Sequence, residues 1–465
     1  MHLNQFHHDA AHAIGLGERR EFIREALHGY ERVRAGTQTG FGDWEAARLE
    51  AARIKWDAIE HLDEHLVRFA DNLEANGAKV FWAATGEDAV GYVRSVCRER
   101  GAKRVIKSKT MTSEEIHLNE ALEADGIEAV ESDLGEFIVQ LRKEPPYHFV
   151  FPSMHLERGE IRADFERELH LEVSEAGDDP ETLTMIARRV LREMYLSADV
   201  GVSGANFGVA ETGSISITEN EGNARLTTSM PPVHVCLIGI EKVIPRLDDL
   251  ALLLPMLATA GTGQHLTCYN SLLSGPRRAG ECDGPEEMHV VLLDNGRTEL
   301  LADPEQRDAL RCIRCGACLN VCPIFKNVGG FTYGTTYQGP IGSVITPHLR
   351  GAEWAHLSSA STLCGACSET CPVRIDLHHH LLRNRRDAWN RNPGLRERVA
   401  FRVFAAWATR PGLYGLAGVA RRVLGVWPRV LRGTALDPAR AWRRGRDLPE
   451  SSSKTFKAYW KERSR

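Results

Sequence analysis

Two short runs of cysteine decide what this chain folds around. Residues 311–323 read RCIRCGACLNVCP and residues 361–372 read STLCGACSETCP. Superimposed, Cys315, Cys318 and Cys322 fall on Cys364, Cys367 and Cys371, each run closes on a proline, and Cys312 falls on Ser361. Thiolate is a soft ligand that suits zinc and iron–sulfur clusters alike, so ligand type does not choose between them. Spacing does. A zinc site draws four ligands, usually as two separated pairs, whereas C-x2-C-x2-C-x3-C-P wraps three thiols round one cluster and sends the fourth to a second cluster. The first run matches that pattern in full.

The crossing assigns ligands. Cys312, Cys315 and Cys318 are expected to hold one [4Fe-4S] cluster with Cys371, and Cys364 and Cys367 to hold another with Cys322. The second set has three thiolates. Its fourth place is open to Ser361, to another group, to an outside thiolate or water, or to no iron at all in a [3Fe-4S] cluster. A four-iron cluster with a non-cysteine or exogenous fourth ligand is the favoured form. Gly316-Ala317 and Gly365-Ala366 fit a backbone drawn close round a cluster.

Eleven cysteines in 465 residues are too dilute for a disulfide scaffold, and seven lie between 312 and 371. Of the others, Cys97 and Cys236 sit in apolar periodic segments and read as core residues. Cys268 and Cys282 lie in the polar stretch TCYNSLLSGPRRAGECDGPEE. The run His378-His379-His380 reads as a solvated helix face rather than a ligand set. The N-terminus lacks the basic-then-apolar pattern of a secretory signal, and no uncharged apolar run reaches membrane-spanning length, so a cytoplasmic protein is expected.

The net charge of −5 hides an asymmetry. From Val373 to Arg465 there are 22 Lys and Arg against 7 Asp and Glu, a net +15, which leaves −20 on residues 1–372. Five of the nine tryptophans also lie beyond residue 385. A basic tail on an acidic body suits docking on an acidic partner, on anionic lipid at the inner membrane face, or back on the body itself. Nucleic acid is not expected, since no recognition motif is present and the body is acidic.

Hydrophobic periodicity divides the rest. Residues 1–70 form an N-terminal helical segment, with 47–77 reading as a helix that stops at Asn76-Gly77. Between 71 and 300, short apolar runs (79–84, 103–108, 127–132, 147–152, 233–240, 288–294) alternate with amphipathic ones (86–101, 112–126, 180–198, 245–259), and 201–226 suggests strands joined by tight turns. Such alternation predicts an α/β domain with a parallel sheet. Thr112 or Ser113 would open the 112–126 helix and Asp125-Gly126 close it. Residues 301–385 carry the cysteines on short helices and loops, and 386–465 form a basic, helical extension.

The segments GANFGVAETGS (204–214), SGPRRAGECDGPEEMHVVLLDNGR (274–297) and HFVFPSMH, with its paired His148 and His155, resemble the lactate-utilisation (LUD) domain. With the ferredoxin-type centre and the basic extension, the whole chain resembles the lactate utilization protein B family. That resemblance implies a NagB/RpiA/CoA-transferase-like α/β fold for the first domain. It also implies an iron–sulfur electron-transfer subunit that works with two partner proteins in oxidising L-lactate to pyruvate, without a complete active site of its own. Four cysteines for one cluster and three for the other fit the same family.

A second reading makes the LUD domain an enzyme on a CoA ester or hydroxy acid, with the clusters as redox sensor or scaffold. Thr218-Glu219-Asn220-Glu221-Gly222 partly echoes the glutamate context of CoA transferases, but Asn, Glu and Gly are also ordinary turn formers. Gly201, Gly204, Gly208 and Gly213 offer amides to an anion without making G-x-G-x-x-G, so no dinucleotide site is expected. Lys107, Lys109 and Arg225 are cations suited to a carboxylate, or plain surface charges.

Overall fold

The computed structural model describes residues 2–170, 178–391 and 394–414, with residues 434, 437, 440–443, 446, 454 and 456–463 beyond them. Residues up to Asp387 form one compact unit and those from Ala388 a second. Ten strands are defined: β1 (Lys79–Ala83), β2 (Arg104–Lys107), β3 (Glu128–Glu131), β4 (Val200–Gly204), β5 (Phe207–Val209), β6 (Ser214–Glu219), β7 (Val233–Gly239), β8 (Val243–Ile244), β9 (Tyr269–Leu273) and β10 (Glu287–Leu293).

Six of them form an all-parallel sheet in the order β1-β10-β7-β4-β2-β3. Every residue of β4 and β7 is buried, as a parallel strand covered on both faces requires. Alternation sends Cys236, Ile238, Val290 and Leu292 toward Leu66, Phe69 and Leu73 on one face. Val235, Leu237, Val291 and Leu293 meet Ala89, Val93 and Val96 on the other. The remaining strands make a smaller mixed sheet, β8-β5-β6-β9, that includes the β5–β6 hairpin.

Most of the expected elements are present, two of the helices with breaks. The helix read over 47–77 is two, Trp44–Glu60 and Leu62–Ala75, parted at His61. The two serve different cores: Ile54 and Ile59 join the cysteine region, whereas Leu62, Leu66, Phe69 and Leu73 cover the sheet. Residues 112–126 likewise split into Met111–Glu115 and Leu118–Ala124 at His117, whose φ is +55°. Glu115 turns into a buried ion network while Leu118 and Leu122 face the sheet. Thr110, not Thr112 or Ser113, precedes the first of these helices.

The run YHFVFP (147–152) is not a strand. His148 Nδ1 accepts the amides of Val150 (2.9 Å) and Phe151 (3.3 Å), and the Tyr147 amide donates to the Pro152 carbonyl, closing a tight loop. Its apolar side chains pack on the cysteine region instead. An added Cβ at Gly316 would meet Val150 Cγ2 at 2.7 Å, so glycine there admits the loop. Strand β9, inside the polar stretch that carries Cys268 and Cys282, pairs along β6.

Helices His2–Gly15 and Gly17–Gln38 pack against the cysteine region: Ile23 and Leu27 share a core with Phe325, Leu319 and Cys315. In the second unit, helix Leu395–Ala408 exposes Leu395, Val399, Phe401, Val403 and Phe404. Part of the basic tail, including 415–433, lies outside the described residues. No helix among the described residues is long and apolar enough to cross a membrane.

Candidate metal centre

The two cysteine runs fold as copies. Arg314 and Leu363, matched by the superposition, both adopt left-handed φ (+58° and +55°), as do Gly316 and Gly365 (+81° and +83°). Each glycine precedes a short helix, Ala317–Asn320 or Ala366–Thr370, and these helices pack together. Tight left-handed turns bring the flanking cysteines to one side, which their chain spacing alone would not do.

A cavity joins the two runs. It is lined by Cys312, Cys315, Cys318 and Cys371, with Phe149, Ile313, Ile341, Val373 and Ile375 among its apolar walls. The electrostatic neighbours follow the same grouping: Cys315 feels Cys312 and Cys371, while Cys322 feels Cys364, and Cys367 feels Cys322 and Cys364. Cys318 also feels Cys367, so the two groups adjoin.

Burial pushes these thiols up, Cys371 to about 11 and Cys367 to about 12, with Cys315, Cys318 and Cys322 also raised. Burial favours the neutral thiol where no cation is bound. Amides point at the sulfurs nonetheless. Arg314 N lies 3.4 Å from Cys312 Sγ and Ile375 N 3.3 Å from Cys371 Sγ, and the amides of Ala317, Ile341 and Phe325 serve Cys315, Cys318 and Cys322. Such donors stabilise thiolates and sulfides bound to iron.

Spacing separates a cluster from a single ion. Four thiolates about 2.3 Å from one zinc sit about 3.8 Å apart. Among the described residues, no three of the cysteine sulfurs lie within 4.8 Å of one another. The four thiols that line the cavity are therefore not gathered as the tetrahedral set of a single ion. The second group is more open, because Cys364 is exposed while Cys322 and Cys367 are buried. Ser361 Oγ accepts the Leu363 amide at 3.1 Å, a serine turn rather than a helix N-cap, since the helix that follows is preceded by Gly365.

Other expected residues take structural roles. Cys97 and Cys236 are fully buried with thiols raised to about 12 by burial, whereas Cys268 and Cys282 are exposed. His380 is not solvated: it is buried with Nε2 2.6 Å from Asp308 Oδ1, and only His379 of the three is exposed. His148 is buried and lowered to about 3 by desolvation; with Nδ1 accepting two amides, its Nε2 donates to Asn320 Oδ1 at 3.1 Å. His155 faces Glu144 at 3.2 Å.

Lys107 is fully buried against Glu131 at 2.7 Å, and Arg225 stacks over the Tyr269 ring. Gly201, Gly204, Gly208 and Gly213 are packing contacts: an added Cβ would come within 2.8 Å or less of Thr227, Thr110, Phe69 and Asn72 respectively. Glu219 spends its carboxylate on the amides of Ala224 (2.7 Å) and Arg225 (2.9 Å), the start of helix Asn223–Ser229. That use opposes a nucleophilic role.

A buried ion network behind the cavity carries no sequence motif. Arg297 donates to Glu115 at 2.7 Å and Glu241 at 2.6 Å, and Tyr337 donates to Glu115 at 2.7 Å. Arg314 reaches Glu241 at 3.1 Å, and Lys55 donates to the Glu241 carbonyl at 2.7 Å. Burial alone would raise Glu241, but Arg297, Arg314 and Lys242 hold it at about 2. The network ties sheet, N-terminal helices and cysteine runs together. Its one visible sequence signal was Arg314, a cation inside the first run where the second has Leu363.

Comparisons with known proteins match three segments of the chain. Family profiles match the LUD domain over residues 66–293, a 4Fe-4S dicluster domain over 308–375, and the C-terminal domain of lactate utilisation protein B over 390–465. The chain is 41% identical over 456 residues to Lactate utilization protein B of Bacillus licheniformis, covering 95% of this chain and 94% of that protein. It is 40% identical over 464 residues to the protein of the same name from Oceanobacillus iheyensis, covering 97% and 96%. It is 42% identical over 429 residues to the Uncharacterized electron transport protein YkgF of Escherichia coli K12, covering 90% and 89%.

Proposed function

Because the chain belongs to the lactate utilization protein B family, we propose that it is the iron–sulfur electron-transfer subunit of an assembly that oxidises L-lactate to pyruvate with two other lactate-utilisation proteins. The observation that carries this reading is the cavity walled by Cys312, Cys315, Cys318 and Cys371, four thiols drawn from both runs. One [4Fe-4S] cluster belongs there. A second belongs on Cys322, Cys364 and Cys367, with a fourth ligand other than cysteine or supplied from outside.

A cluster of this kind exchanges single electrons at a potential set by charge, hydrogen bonds and exposure. The chain's part is to hold the thiolates, keep water from the first site with Phe149, Ile313, Ile341 and Val373, and aim amides at the sulfurs. The exposed Cys364 gives the second site an edge that a partner can approach. Two-electron chemistry on lactate falls to the partners. The tail, with a net +15 from Val373 onward and exposed apolar residues on helix Leu395–Ala408, suits docking on an acidic partner.

Deleting the coding sequence should abolish growth of the source organism on L-lactate and leave growth on pyruvate intact, and Cys364→Ser should reproduce the defect. Parental growth of the deletion strain on L-lactate would refute the proposal.

A further inference from the structure

A second cavity, about 350 Å³, adjoins the four-cysteine cavity, and Cys315 lines both. It opens outside the carboxyl ends of four adjacent strands of the parallel sheet. Lys109 and Thr110 follow β2, Asp133 follows β3, Asn206 follows β4, and Lys242 follows β7. That is where open parallel sheets place ligands.

Its lining includes buried donors that no acceptor meets. Arg314 gives one donor to Glu241 at 3.1 Å, but its Nε and Nη1 have no partner although the side chain is only 10% exposed. The Tyr337 ring, 4.6 Å away, covers one guanidinium face and leaves the N–H rim. Thr110 is 5% exposed and its Oγ1 is unpartnered as well; Gly204 leaves it room, since a Cβ there would meet that oxygen at 2.4 Å. Lys109 and Lys242 each donate once, to the Val150 and Ala205 carbonyls at 2.8 Å. The carboxylates nearby are engaged: Glu219 with two amides, Glu221 with the Leu134 amide at 3.0 Å, Asp133 with the Glu136 amide at 3.1 Å.

Buried donors without acceptors are costly, and guanidinium with ammonium and hydroxyl donors is a set that recognises carboxylate. The volume lies at the small end of ligand pockets, too tight for a nucleotide-bearing thioester. We infer that this cavity binds a small organic carboxylate on Arg314, Lys109 and Thr110, with Cys315 as the wall shared with the four-cysteine site. The inference goes beyond electron transfer by giving this chain a ligand of its own. It rests on the cluster proposal for one of its two readouts only.

The test is calorimetric titration of the anaerobically prepared full chain with L-lactate, pyruvate, acetate and inorganic phosphate, with iron content and the reduced-cluster EPR spectrum recorded on the same samples. At least one carboxylate should bind saturably and shift one cluster signal, and Lys109→Met or Thr110→Val should weaken it about tenfold. Both variants lie away from the cysteine runs, so they keep the test valid if Arg314→Lys fails to load iron. No heat with any carboxylate at about 10 mM, equal binding of phosphate, or unchanged binding in both variants would overturn the inference. A sample without iron but with carboxylate heat lost in the variants would sink the cluster proposal and leave this site standing.

Discussion

Ser361 stands in the second cysteine run where Cys312 stands in the first, and it makes the same contact. Cys312 Sγ takes the Arg314 amide at 3.4 Å and Ser361 Oγ takes the Leu363 amide at 3.1 Å. The backbone is thus the same with or without the eighth thiol. Since that hydrogen bond is worth about 1 kcal/mol, Ser361→Ala should cost little stability and leave both EPR signals unchanged. Ser361→Cys should alter one signal by adding a fourth thiolate to the second site. A changed cluster signal in folded Ser361→Ala would instead make the serine oxygen a ligand.

Crossing of the runs is tested by losses. Cys312→Ser and Cys371→Ser should abolish the same EPR signal despite the distance in chain, because both line one cavity. Cys364→Ser should remove the other. If Cys371→Ser removed the signal lost in Cys364→Ser, each run would hold its own cluster.

The buried network predicts acid sensitivity. Glu241 sits at about 2 when folded against an ordinary 4.5, and Glu115 is also lowered, despite burial, by Arg297. A depressed folded value stabilises above the unfolded value, and that contribution is lost as pH falls from 4.5 toward 2. Arg297→Met should cost about 3–5 kcal/mol at neutral pH, by leaving two buried carboxylates underpaired. It should also move acid unfolding to higher pH. Urea midpoints between pH 3 and pH 7 check both; a variant within about 1 kcal/mol of the parent would contradict the network's role.

Which of these features the sequence exposed follows from the range of the forces. Cysteine spacing and the period of the strands are local, so both runs and most of the parallel strands were legible. The breaks at His61 and His117 were not, because each arises where one apolar stripe must serve two different cores. YHFVFP has the composition of a strand, but the His148 ring captures its amides. His380 looks like surface until Asp308, far away in chain, folds against it. The Lys55, Glu115, Glu241 and Arg297 network joins residues with no common motif, so only the fold assembles it.

Truncation after Arg391 should leave cluster loading intact and weaken association with the partner proteins, since the removed residues carry most of the net +15 counted from Val373. Binding of the full chain should fall as salt rises, because the Debye length shrinks from about 10 Å at 0.1 M to about 3 Å at 1 M. Equal affinity of truncated and full chains at low salt would assign the tail another role.

The central claim is that seven cysteines hold two iron–sulfur clusters. Iron, zinc and acid-labile sulfide per chain in anaerobically purified protein test it most directly. Two clusters require about seven to eight irons with matching sulfide, in brown protein that dithionite bleaches. Stoichiometric zinc with no labile sulfide would contradict it.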